Sequence, residues 1–116
     1  MNYKKEKLDL VKSMVEDIEN INLYIDAIVN KFYEGDEKIA CEGMAFVSEE
    51  LQWIFKGLDI ISDMVNIYDI NNNISQQIVG IIEDMENEDY ILVGDLLNYE
   101  VKPLLEQLIE ILKENI

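Results

Sequence analysis

Residues 37–68 read EKIACEGMAFVSEELQWIFKGLDIISDMVNIY, and their spacing decides the fold class. Ala40, Val47, Ile54, Ile61 and Tyr68 form one seven-residue row, and Met44, Leu51, Leu58 and Val65 form the next. Ile39, Phe46, Trp53, Ile60 and Ile67 make a third row beside them. Seven residues is close to two turns of α-helix, so rows of this kind are helix faces. Three such rows leave the helix apolar over more than half its circumference. It is therefore expected either at the centre of a bundle or covered on one side by a second chain. No alternating β-strand pattern competes anywhere in the chain.

Upstream, Val11, Met14, Ile18, Ile21, Ile25, Ile28 and Phe32 recur at spacings of three and four, with Leu8, Val15 and Val29 widening the stripe. This predicts one long helix, in which the weak helix formers Asn20 and Asn22 mark where a kink or break would fall. Glu34-Gly35-Asp36 ends it, with Gly35 suited to a left-handed C-terminal position and Asp36 to the N-cap of the next helix. At 1.5 Å per residue both long helices would reach about 50 Å.

Downstream, Asp69-Ile70-Asn71-Asn72-Asn73 reads as a turn, and Asn73 as the cap of a shorter helix whose face is Ile74, Ile78, Ile81, Ile82 and Met85. The acidic run from Glu83 to Asp89 marks an exposed helix end. A last helix carries Val93, Leu96, Leu97, Leu104, Leu108, Ile111 and Leu112, with Pro103 predicting a kink near Tyr99 to Pro103. The expectation is an all-α single domain over residues 1–116: an antiparallel four-helix bundle of two long helices, a shorter helix and a Pro-kinked last helix.

Composition narrows the function classes. The chain has 116 residues, 25 carboxylates, nine lysines, no Arg and no His, for a formal charge of −16. Four lysines (Lys4, Lys5, Lys7, Lys12) sit in the first twelve residues, so from Ser13 onward five lysines face 23 carboxylates. Binding to nucleic acid or to an anionic membrane surface begins with cations neutralising phosphates, and neither partner is expected here. A basic protein or divalent cations would be drawn in by the field, although such charge also serves plain solubility.

The absence of His removes nucleophile–base triads, the usual zinc shells and Glu-x-x-His di-iron sites. No phosphate loop or dinucleotide Gly cluster is present, so no cofactor is expected and the chain does not read as an enzyme. Asp69-x-Asn71-x-Asn73 begins like a calcium loop and then fails, with Ile74 in place of the turn Gly and Gly80 in place of the bidentate Glu. Cys41 is the lone cysteine and forms no intramolecular disulfide; it reads as a small buried side chain. The first residues lack a signal-peptide pattern and no stretch approaches a membrane span, which assigns the chain to the cytoplasm.

The row Gly43, Glu50, Gly57 runs between the apolar rows of the second helix. It directs a carboxylate inward or nearly so. Glu100 stands three and four residues from Leu97 and Leu104, and Asn22 holds a comparable place on the first helix. The three could converge inside the bundle, where a buried carboxylate needs a lysine, a cation or the hydroxyl of Tyr99 or Tyr24. The alternative leaves Glu50 and Glu100 at the stripe edge in water. Gly43, Gly57, Gly80 and Gly94 fall inside helices, where each costs roughly 1 kcal/mol against Ala, and close helix packing is the expected compensation. Trp53, Phe46 and Phe55 near Met44 read first as core, and second as a groove or dimer surface.

Asp95-Leu96-Leu97-Asn98-Tyr99-Glu100-Val101-Lys102-Pro103-Leu104, with Phe32-Tyr33-Glu34-Gly35-Asp36 and Glu50-Leu51-Gln52-Trp53, resembles an uncharacterised family of small acidic helical proteins of low-GC bacteria. The resemblance spans most of the chain, implies a bacterial cytoplasmic helical domain, and carries over no catalytic or binding residue. The Ile-, Asn- and Lys-rich usage suits an AT-rich genome independently.

Together these features predict a non-enzymatic interaction protein. It would bind itself as a homodimer, or a protein partner, through an apolar helix face rimmed by carboxylates, in a chaperone-like or antitoxin-like role. The alternative is a small-ligand or divalent-cation binder built on Glu50, Glu100 and Asn22, with Tyr99, Gly43, Gly57 and Trp53 around them.

Overall fold

The computed structural model describes residues 3–116; Met1 and Asn2, which open the stretch read as lacking a signal peptide, lie outside the described residues. The described residues are helical almost throughout, with no strand among them. α1 spans Tyr3–Glu34, α2 Glu37–Ile60, α3 Tyr68–Glu86 and α4 Tyr90–Leu96; a π-helical turn over Leu97–Val101 then leads directly into α5, Lys102–Lys113. The last three form one unbroken helical run. The molecule measures 51 × 22 × 19 Å, its long dimension matching the 32 residues of α1.

α1 continues through Asn20 and Asn22 without a break. Ile18, Ile21, Ile25 and Ile28 on either side of them are buried, and packing outweighs the weak propensity of two Asn. This helix is the central element, in contact with α2, α4, the π turn and α5. The expectation that α2 might be central is therefore corrected: α2 lies against α1 at the side of the molecule. Its rows Ala40, Val47, Ile54 and Met44, Leu51, Leu58 are buried, joining Phe32, Leu105 and Leu108 in one core.

Gly35 takes the left-handed backbone at φ +81°, which an L side chain rarely adopts, and turns the chain into α2. Asp36 is the N-cap residue of α2, but its side chain makes no capping hydrogen bond.

The second boundary differs from expectation. α2 ends at Ile60 rather than Tyr68, and α3 begins at Tyr68, so Asp69 to Asn73 lie in its first turns and form neither a turn nor a cap. The connection occupies 61–67, where Ser62 Oγ donates to the Asp59 carbonyl at 2.8 Å. Ile61, Val65 and Ile67 in this connection are buried, so the apolar spacing runs on through residues that are not α-helical. Ile67, Ile70, Ile74 and Ile81 are buried at helical spacing and set the register of α3 over the turn preference of three asparagines. Lys7 Nζ, itself buried, donates to Asp63 Oδ1 at 2.7 Å and ties the start of α1 to this connection. That hydrogen bond holds the Asp63 carboxyl below its ordinary value.

Pro103 has no N–H to give, and its ring crowds the carbonyl four residues back. The helix answers with a π turn, in which the Lys102 N–H reaches the Leu97 carbonyl five residues earlier. Where Pro103 predicted a kink near Tyr99 to Pro103, the structure has this π insertion. α4 is capped by Asp89, whose carboxylate accepts from the Leu92 N–H at 3.4 Å, and the ring of Tyr90 stacks on Phe32 with centroids 6.0 Å apart.

Candidate functional site

The third row of α2 did not enter the core. Ile39, Phe46, Trp53 and Ile60 are 50, 46, 61 and 54% exposed and follow one another at seven residues along one side of α2, where Phe46 meets Tyr24 of α1 and Trp53 and Ile60 line a notch with Leu10 and Met14. The core role expected for Phe46 and Trp53 is overturned; Met44 alone of that cluster is fully buried, and Phe55 is half-buried. The physical reason is geometric. One helix face can be covered by α1 and the rest of the bundle, and two of the three rows already fill it.

The glycines set how closely α1 approaches this stripe. A Cβ on Gly43 would stand 2.8 Å from Ile28 Cγ1, and one on Gly57 would stand 2.8 Å from Met14 Sδ. Both contacts are too short for real carbons, so close packing accounts for these two glycines as expected. Gly94 is packed likewise under Tyr33 Cε1, at 2.9 Å, whereas a Cβ on Gly80 would meet only Leu96 Cδ1, at an ordinary 3.7 Å.

The furrow between α1 and α2 holds two notches. One, of about 260 Å³, is lined by Asp17, Asn20, Ile21 and Tyr24 of α1 with Phe46 and Glu50 of α2. Tyr24 meets Phe46 edge to face, with ring centroids 4.9 Å apart. The other, of about 70 Å³, is lined by Leu10 and Met14 with Trp53, Lys56, Gly57 and Ile60. Leu10, Asp17 and Tyr24 are themselves a seven-residue row; Leu10 shares its notch with Trp53 and Ile60, and Asp17 and Tyr24 share theirs with Phe46. Leu10 and Asp17 had not been singled out, although their spacing, set against the α2 row, carries the signal.

The inward polar cluster does not form. Glu50 lies half-buried in the α1–α2 furrow with Asp17, Asn20, Tyr24 and Phe46, while Gly57 and Trp53 line the other notch and Gly43 packs on Ile28. Asn22 lines a different groove, between α1 and α5, with Glu19, Asp26, Lys102 and Glu106. There Lys102 pairs with Asp26, and Lys113 with Glu19 at 3.2 Å. The Asn22 Oδ1 is buried with no hydrogen-bond partner in the described protein. Glu100 and Tyr99 are exposed on the π turn. The inserted residue shifts the helical phase there, so spacing from Leu97 and Leu104 no longer predicts which way Glu100 faces. Glu50, Asn22 and Glu100 thus occupy three separate places, and among the described residues no group of His, Cys, Asp or Glu could hold a metal ion.

Two further side chains have perturbed protonation. Burial pushes the Cys41 thiol above its ordinary value against the opposing effect of a hydrogen bond with Tyr90, which leaves it a poor thiolate source. The Tyr33 hydroxyl donates to Asp95 Oδ1 at 2.5 Å, and that bond, with desolvation and the Asp95 charge, pushes the phenol up to about 12. Among the described residues no helix is long and apolar enough to cross a membrane.

Neither the curated proteins nor the solved structures contain a match to this chain. The family profile described as a domain of unknown function, DUF8042, matches residues 9–111, and the chain belongs to that family.

Proposed function

We propose that this chain is a non-enzymatic interaction protein that docks a protein partner on the stripe Ile39, Phe46, Trp53 and Ile60 of α2. The observation that carries the reading is the exposure of those four large apolar side chains in one seven-residue row. Single exposed apolar residues are ordinary on protein surfaces, whereas a contiguous row edged by carboxylates marks surfaces that are covered in use. The frame behind it is taken as an antiparallel four-helix bundle. Met14 beside Gly57 and Ile28 beside Gly43 support that direction for α2 on α1, and Asp26 with Lys102 and Glu19 with Lys113 support it for α5. Covering a basic or aggregation-prone protein in the cytoplasm of a low-GC bacterium, as a chaperone or an antitoxin does, is the role this chemistry suits.

A photo-crosslinker placed at Ile39 or Ile60, the two ends of the stripe, tests the reading in cells, with the exposed Val79 of α3 as the control position. Discrete adducts from the stripe, absent from Val79, are the expected outcome. Identical adducts from both faces, or none from the stripe, would sink it.

A further inference from the structure

The chemistry around the stripe names its occupant. On α2, Glu42 stands three residues after Ile39 and four before Phe46, and Glu49 stands likewise between Phe46 and Trp53. Spacings of three and four make helix neighbours, so both carboxylates border the stripe on its solvent side. Glu50 and Asp17 border it on the furrow side, in the notch that Tyr24 and Phe46 close. The only cation placed the same way is Lys56, between Trp53 and Ile60. The face is thus most acidic around Phe46, and its one lysine stands at the notch of Trp53 and Ile60.

Its spacing is also informative. Phe46, Trp53 and Ile60 follow one another at seven residues, about 10.5 Å per step along a helix. A partner helix repeats its own side chains at that interval, whereas an extended strand repeats them on one face about every 6.8 Å. The match is to a helix lying along the furrow.

Resting on the docking reading above, we infer that the occupant is an amphipathic helix of a basic protein partner, with large aliphatic side chains two turns apart and Lys or Arg beside them. An aliphatic side chain enters the notch of Leu10, Met14, Trp53 and Ile60. A Lys or Arg reaches Asp17 and Glu50 over the faces of Tyr24 and Phe46, where carboxylates and aromatic rings both favour a cation. A second copy of this chain is the wrong complement. Its stripe carries the same four carboxylates and one lysine, and each copy adds a formal charge of −16.

The test uses the full chain and its single tryptophan, Trp53, whose emission reports directly on this face. The probes are designed peptides without Trp, about three heptads long. One has Leu on one face and Lys along its flanks, a twin has Glu in place of every Lys, and a third scrambles the Lys peptide so that its apolar face is lost. At about 50 mM salt the Lys peptide is expected to shift Trp53 emission and to bind at least about tenfold more tightly than either control, with affinity falling as salt rises. The surface variants Asp17→Asn and Glu50→Gln, combined, should narrow the gap between the Lys and Glu peptides several-fold while leaving the circular dichroism unchanged.

Equal binding of the Lys and Glu twins would overturn the basic partner and leave the docking face standing. Equal binding of the scrambled peptide would overturn the helix. Trp53 already shielded in a concentration-dependent dimer that no peptide displaces would assign the face to a second copy. Silence from all three peptides, together with no adduct from Ile39 or Ile60, would remove the docking face itself.

Discussion

Two faces of α2 carry similar side chains at the same interval and meet opposite environments. Ala40, Val47 and Ile54, with Met44, Leu51 and Leu58, are sealed in the core; Ile39, Phe46, Trp53 and Ile60, more than a quarter of a turn away, face water. The first set holds α2 in place, because each buried Leu or Ile contributes on the order of 1.5–3 kcal/mol. The second set contributes little to folding, and exposing it works against solubility. A domain this acidic can tolerate such a face, since a net charge of −16 opposes association of free copies. On the docking proposed above, the difference separates what α2 does for the fold from what it would offer a partner.

The sharpest way to break this comparison is to truncate one residue from each face. Leu51→Ala removes a fully buried side chain and is expected to cost about 2–5 kcal/mol in urea unfolding, the range for cavity-forming changes. Trp53→Ser, two residues on, should cost less than about 1 kcal/mol despite deleting a larger side chain. If the two costs came out alike, Trp53 would belong to the core and the proposed docking stripe would lose its support.

The same face explains how far the sequence could be read. Every helix and the hairpin glycine Gly35 were legible, because period-3.6 spacing and a left-handed turn are local signals. The end of α2 was not, since Ile61, Val65 and Ile67 keep the apolar spacing through a connection that is itself buried. Periodicity reports burial, and a buried turn looks like more helix. For the candidate site, the placement of Gly43, Glu50, Gly57 and Trp53 along α2 was legible because they share one helix and their spacing needs no tertiary knowledge. Asn22 and Glu100 were wrongly joined to them. Their facing depends on α1 being central and on a π insertion at Leu97–Val101, and neither is a property of spacing. Leu10 and Asp17 were missed for the complementary reason, that a furrow belongs to two helices at once.

Glycine positions sharpen the contrast between inward and outward sites on a smaller scale. Gly94→Ala would place a methyl group 2.9 Å from Tyr33 Cε1 and 3.4 Å from Phe32 Cβ, displacing the ring that reaches Asp95. A net loss of about 1 kcal/mol is expected after the gain in helix propensity. Gly80→Ala meets only Leu96 at 3.7 Å and should stabilise by about 0.5–1 kcal/mol. Opposite signs in thermal unfolding are the expected result. A destabilised Gly80→Ala would mean that α3 and α4 pack more closely there than the geometry allows.

The smallest effect concerns a side chain that is partly exposed yet partnered, in contrast to the stripe. Tyr33 is 41% exposed, but its hydroxyl is committed to Asp95 and links α1 to α4. Only the protonated phenol can donate. Its value rises from 10.0 to about 12 in the folded protein, so between those limits the unfolded chain loses its proton first. The stabilisation is fully present below pH 10 and is lost as pH climbs toward 12. The stability difference between the native chain and Tyr33→Phe should therefore be constant up to about pH 10 and shrink above it. Solvent screening at this site keeps the difference modest. Denaturant unfolding of both chains across that alkaline window measures it. A difference that stayed flat to pH 12 would show that the Tyr33 hydroxyl does not hold α4 to α1, and that Gly94 alone sets their approach.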